Sequence, residues 1–172
     1  MSQISQIDYE TAPQDVREAH DEELRLRGRM TNMKRVLLHS PKAHGIYAEW
    51  FTLYDLLTPI IPSRALWIFS MAISSAANSR TAVTFFRRAL TGAGLNPDAL
   101  DLSGEEDVLV QFGQALVSDS TAVPQALWDT LKARYDEPAL VNLVAFAGIM
   151  LATAVFINTV GIEMDAELAP FA

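Results

Sequence analysis

The residues from Leu140 to Val160 leave a chain few ways to fold. They are apolar on almost every side of a helix, through Leu140, Leu143, Phe146, Ile149 and Met150 to Val155, Phe156 and Ile157. Pro138 suits a first turn, where its missing N–H needs no partner, and Gly161 ends the run. A helix without a polar face must be enclosed, by other helices of the chain or by another subunit. Small residues at Ala145, Ala147, Gly148, Ala152 and Ala154 let neighbouring backbones come close. The apolar interval between Asn142 and Asn158 is shorter than the roughly 20 residues of a bilayer span, so a core helix without membrane contact is predicted.

Helical spacing runs through the rest of the chain, and strand-like alternation does not. Asp15 to Arg27 carries its acids early and Arg25 and Arg27 late, complementing the helix dipole above a thin apolar stripe. Ser40-Pro41 breaks the next unit, because a residue before proline avoids helical backbone. A helix from Pro41 should reach Leu57, with Ile46, Trp50, Leu53, Tyr54 and Leu57 on one face. Ser63 should cap the next, which runs into a patch of small residues, Ser74 to Ser79, before helix resumes and stops at Gly92 and Gly94. Ser103 with Glu105 and Glu106 opens a further helix to about Val117, and Pro124 another through Tyr135. The 172 residues suit one domain, 1–172, with 1–30 as an amino-terminal arm and 31–172 as the core.

Thirteen Lys and Arg stand against twenty-one Asp and Glu, a formal charge of −8 that repels nucleic-acid backbones. Residues 1–10 are polar, without the basic start and apolar run of a signal peptide, so a cytoplasmic location is expected. Cysteine is absent. No disulfide, thiolate nucleophile or thiol redox pair can therefore form. The three histidines lack a metal-ligand spacing, so neither a metal nor another cofactor is expected.

Three stretches carry a family likeness: Arg29 to Met33 leading to Leu37-Leu38-His39-Ser40-Pro41, Arg64 through Leu90 to Ala93-Gly94-Leu95, and Tyr135 through Asn158 to Ile162. In these the chain resembles the carboxymuconolactone decarboxylase superfamily, which includes the alkylhydroperoxidase D-like (AhpD-like) proteins. The resemblance implies an all-α bundle of orthogonally packed helices that assembles into a homo-oligomer, a trimer or hexamer or else a dimer. It also implies a Cys-x-x-Cys pair, a His four residues later and a Glu about a dozen residues upstream. Counting back from Ala93-Gly94 puts the pair at Ser79 and Ala82, the His at Phe86 and the Glu at Trp67. Counting forward from Arg64 gives Ala77, Arg80 and Thr84 instead. Neither count meets a cysteine or a histidine, so thiol-dependent peroxide reduction is not expected of this chain.

What remains is proton transfer, electrostatics and binding. His39, at the end of an apolar run, is a candidate acid or base if half-buried, or else a helix C-terminal cap. Glu49 lies within a helical turn of Trp50 and Tyr54, where contact with rings would raise its pKa, although such carboxylates more often sit in water. Tyr54 can donate to a developing oxyanion, or simply pack. Arg80 or Arg64 can clamp a substrate carboxylate, and Ser79 can line a polar floor where the implied cysteine is missing, or be a mere small replacement. His20 reads as surface and His44 as structural. The leading expectation is a redox-inactive, cofactor-independent lyase or isomerase acting on a small carboxylate or lactone, as on the decarboxylase side of the superfamily. The alternative is a non-catalytic scaffold for binding or assembly. An enzyme should hold His39 or Glu49 in a closed cavity; a scaffold should fill that space with Trp67, Phe85 or Phe86.

Overall fold

A computed structural model describes residues 2–172. These form nine α-helices and a closing 3-10 turn, and among the described residues there is no strand. The helices are α1 (Gln14–Arg27), α2 (Asn32–Leu37), α3 (Pro41–Ala48), α4 (Trp50–Leu57), α5 (Ser63–Ala76), α6 (Arg80–Gly92), α7 (Gly104–Ser118), α8 (Gln125–Lys132) and α9 (Glu137–Val160). The 3-10 turn spans Ala166–Phe171. The all-α reading of the sequence holds throughout.

Local chemistry sets the helix ends. Gly28 adopts φ +71° and returns its N–H to the Leu24 carbonyl at 2.9 Å, closing α1. Thr31 and Ser40 cap α2 and α3 by accepting the backbone N–H groups of Lys34 and Ala43. Ser103 accepts from the Glu106 N–H at 3.2 Å, while the Glu106 carboxylate accepts from the Ser103 N–H at 2.9 Å, a complete capping box for α7. Three boundaries differ from the sequence reading. Ser63 does not cap α5: it is the first helical residue, Pro62 holds the cap position, and no side chain caps that end. The helix expected from Pro41 to Leu57 divides at Glu49, whose N–H bonds the Ile46 carbonyl three residues back in a tightened turn. α8 stops at Lys132, because Tyr135 turns inward, buries its ring and donates its hydroxyl to Glu105.

α5 is the packing centre, lying against α6, α7 and α9. Its Phe69 ring stacks on Phe112 of α7 at 6.2 Å and on Phe146 of α9 at 6.4 Å, all three fully buried. Burial of each such ring contributes about 1.5–3 kcal/mol. A β-carbon on Gly113 would meet Ile73 Cγ1 at 3.0 Å and Phe69 Cε2 at 3.1 Å, so glycine is what lets α7 come this close to α5. Ser70 and Ser74 donate their hydroxyls back to the carbonyls of Leu66 and Ser70, so neither costs an unmade hydrogen bond in the core. A second apolar cluster (Val36, Ala82, Ile157, Val160, Ile162) joins α2, α6 and the end of α9. A third (Ala12, Val16, Leu38) seats the amino-terminal arm.

α9 is enclosed on one side only. Leu143, Phe146 and Ala154 have no exposed surface, whereas Val141 is 66% and Val155 54% exposed. Val144, Ala145, Gly148 and Ala152 share the open face. At 24 residues, α9 is longer than the apolar interval of its sequence suggests, and it is the one helix among the described residues long and apolar enough to cross a membrane. Its buried face is that of a core helix.

Candidate functional site

The link between α5 and α6 determines what faces the interior. Asn78 takes φ +53°, a left-handed turn that asparagine tolerates, and the Ser79 N–H bonds the Ser74 carbonyl at 2.9 Å. From α9, the Asn158 side chain donates to the Ala77 carbonyl at 2.9 Å and pins the link. α6 therefore starts at Arg80 with Thr81 and Ala82 in its first turn, and Phe85 and Phe86 one turn on. These four residues form one wall of a cavity of about 440 Å³.

The rest of the wall comes from distant parts of the chain. Leu26 and Arg27 end α1, Arg29 and Thr31 link it to α2, and Met33 and Lys34 come from α2. Trp50 and Phe51 begin α4, Ser74 belongs to α5, and Met150, Thr153 and Ile157 to α9. Asp165 and Leu168, around the 3-10 turn, complete it. The lining is mainly aromatic and aliphatic with a few charged groups, the usual make-up of a small-molecule site.

Asp165 is the cavity's only carboxylate among the described residues. Its Oδ1 accepts the Asn32 backbone N–H at 2.7 Å. Burial pushes its pKa above the ordinary aspartate value; that hydrogen bond and nearby Arg35 oppose the rise, and Glu167 adds to it. Arg29 stands over the Phe85 ring at 4.7 Å and pairs with Glu167 at 3.0 Å, which Arg88 shares at 2.7 Å. Lys34 donates to Glu23 at 2.5 Å. Glu23 is buried on α1 and also faces His44 Nε2 at 3.4 Å, outside hydrogen-bonding geometry. Burial depresses the His44 pKa, against the pull of Glu23.

None of the six residues singled out by sequence lines this cavity, and the structure does not gather them elsewhere. His39 is exposed rather than half-buried, with Nε2 2.9 Å from the Ser5 carbonyl. Glu49 is exposed at the α3–α4 junction, its side chain in water. Tyr54 is half-buried against Trp50 and Phe146, ring centres 5.9 and 6.4 Å away. Arg64 is held by Glu106 at 3.0 Å and by the Asp101 carbonyl at 2.8 Å, tying α5 to the start of α7. Arg80 is exposed. Ser79 is fully buried, and its hydroxyl has no partner among the described residues. Of the two counts for the missing cysteine motif, only the first reaches the cavity, through Ala82 and Phe86. Phe85 and Phe86 line the space without filling it.

The sequence reading passed over Arg27, Arg29, Lys34 and Asp165. Arg27 read as the basic end of a helix. Asp165 lies just past the Gly161 stop, with no periodicity to mark it.

No protein-family model and no curated protein matches the sequence. Solved structures do. The apo debrominase Bmp8 superposes with a TM-score of 0.77 at 17% identity, over 98% of this chain and 95% of that one. A cysteine-to-alanine form of Bmp8 in complex with 2,3,4-tribromopyrrole gives the same score and identity over 99% and 96%. An uncharacterized peroxidase-related protein from Silicibacter sp. TM1040 superposes at 0.76 with 12% identity, over 98% and 96%. A protein described as an alkylhydroperoxidase AhpD core, from Ralstonia eutropha JMP134, superposes at 0.71 with 15% identity, over 97% and 94%. The chain thus has the AhpD-like fold along nearly its whole length, without a single cysteine.

Proposed function

We propose that this protein is a redox-inactive, cofactor-independent enzyme of the lyase or isomerase type, which moves a proton on a small carboxylate or lactone held in the cavity. One observation carries the reading: a carboxyl group with a raised pKa, Asp165, in an otherwise largely apolar chamber. A carboxyl poised closer to neutrality than an ordinary aspartate can take a proton from carbon next to a carbonyl and return it elsewhere. In a decarboxylation, the electrons of the breaking C–C bond stay on the substrate as CO2 leaves, and the Asp165 carboxyl proton goes to the carbon. Thr81 and Thr153, also on the wall, are available to hydrogen-bond the carbonyl oxygen that gathers charge. The complex of Bmp8 with a tribrominated pyrrole supports the choice of a small ring as occupant of this fold.

A second reading, binding without turnover, is favoured by the lack of any histidine on the cavity wall among the described residues, where the one amine, Lys34, is held by Glu23. Deuterium exchange separates the two. Wild-type protein in D2O, with a panel of cyclic carboxylates and lactones, should exchange carbon-bound protons of at least one compound by NMR. Asp165→Asn should slow that exchange about 100-fold or more, the usual contribution of a positioned acid or base. Ligand binding without exchange for every compound would establish the second reading.

A further inference from the structure

Arg27 is the cavity cation that no acid claims. Arg29 shares Glu167 with Arg88, and Lys34 is bound to Glu23, whereas Arg27 has no carboxylate partner among the described residues. It rests instead on an aromatic ring. The guanidinium carbon lies 3.7 Å from the centre of the Phe51 ring, and the Lys34 ammonium lies 5.7 Å from the same ring. Arg27 is the last residue of α1, followed at once by Gly28, so the backbone beneath it is set by the helix stop. A cation–π contact does not use the guanidinium N–H donors, which stay free for a planar or tetrahedral oxyanion. The Phe51 ring beneath it and the aromatic groups Trp50, Phe85 and Phe86 are cavity wall.

We propose that Arg27 reads the charge of the ligand and selects an amphiphilic anion, one carboxylate- or sulfonate-type head on a flat apolar body. The head docks on the free edge of the Arg27 guanidinium, and the body lies among Trp50, Phe85, Phe86 and Met150. In a protein of formal charge −8, a free cation at the cavity also decides entry, since the surface elsewhere repels the anions that this cavity would accept. This assignment rests on the cavity being a small-molecule site, as proposed above, and adds the ligand class and the residue that sets it.

Two probes with one skeleton test it. 1-Anilinonaphthalene-8-sulfonate and N-phenyl-1-naphthylamine differ by the sulfonate, and both fluoresce when they leave water for an apolar pocket. Titrated at low and at physiological ionic strength, the intact protein should bind one anionic probe per chain, about tenfold or more tighter than the neutral one. Arg27→Gln should weaken the anion to the level of the neutral probe and leave the neutral probe unchanged. Arg27→Lys should fall between, keeping charge but losing the planar fork. Arg27 is exposed at a helix end, so both variants should fold, which circular dichroism will show. Retention of wild-type preference by Arg27→Gln would overturn the assignment while leaving the cavity a binding site. Failure of both probes to bind the wild type would overturn the cavity reading itself, and this assignment with it.

Discussion

Asp165 and Asn32 meet at 2.7 Å, the aspartate Oδ1 accepting the backbone N–H that opens α2. With the Arg29–Glu167 pair and the Asn32 amide donating to the Glu163 carbonyl, this bond ties the segment after α9 to the amino-terminal third of the chain, and it holds a carboxyl group on the cavity wall. A carboxylate there is stabilised by one N–H and penalised by burial, and burial is the larger effect. The same residue is thus suited to holding a proton and costly to keep ionised.

Replacing Asp165 with Asn should separate those two properties. A carboxyl whose folded pKa lies above its unfolded value contributes stability at low pH, and that contribution is lost as pH rises through the folded value. Asp165→Asn keeps an acceptor for the Asn32 N–H and removes the buried charge. It should therefore raise the melting temperature relative to wild type at pH 7 and bring no gain below the ordinary aspartate range. Urea or thermal melts at the two pH values check this.

His44 should give the opposite pH dependence. Its pKa is lowered by burial, so the unfolded state binds the proton more readily, and stability falls as pH drops through the ordinary histidine value toward the folded one. The charges facing it are Glu23 of α1 and Lys34 of α2, the first favouring and the second opposing its protonation. His44→Gln should flatten the stability profile between about pH 7 and pH 5, measured by chemical denaturation at fixed ionic strength.

Arg64 should prove a stability residue. Its partner Glu106 is nearly buried and completes the α7 capping box, so removing the guanidinium leaves a charge with less compensation in the first turn. Arg64→Ala should cost about 1–3 kcal/mol in denaturant unfolding, the usual range for orphaning a buried polar group. Probe binding at the cavity should not change at a temperature where the variant is folded. A selective loss of ligand affinity would return Arg64 to the role of a clamp.

How far the sequence reached follows from the range of the signals. Several helix ends are readable because caps are local: Ser40 with Pro41, Ser103 with Glu106, and Gly161 act within four residues. The core is readable in outline from the apolar run of Leu140 to Val160 and from the apolar spacing of the helix after Ser63, whereas the place of Phe112 between them shows only in the packed structure. The cavity is not readable, because Arg27, Phe51, Ala82 and Asp165 meet only after four separate segments have packed. His39 and Glu49 looked functional beside apolar neighbours, yet each lies at or beside a helix junction, where the chain turns and its side chains reach water. The narrow approach at Gly113 likewise left no trace in its own helix, since the crowding comes from Ile73 and Phe69 of another.

The open face of α9 yields the last prediction. Val141, Ala145, Gly148, Ala152 and Val155 recur at alternating four- and three-residue spacing, the seam period of paired helices, and there is no charged residue from Pro138 to Ile162. An uncharged, self-complementary stripe on an otherwise acidic protein is the place where two copies can meet without repulsion, so a homo-oligomer paired through α9 is expected. Gly148 discriminates between a paired and an open face, because a β-carbon there meets nothing within 4 Å in the single chain. In an unpaired helix, Gly148→Ala should stabilise by about 0.5–1 kcal/mol through helix propensity alone. In a closely paired one, Gly148→Leu should force the backbones apart and shift the assembly toward monomer in light scattering behind size exclusion, with the helical content unchanged. Wild-type protein running as a monomer at all accessible concentrations, with Gly148→Leu indistinguishable from it, would show that the α9 stripe pairs with nothing in solution.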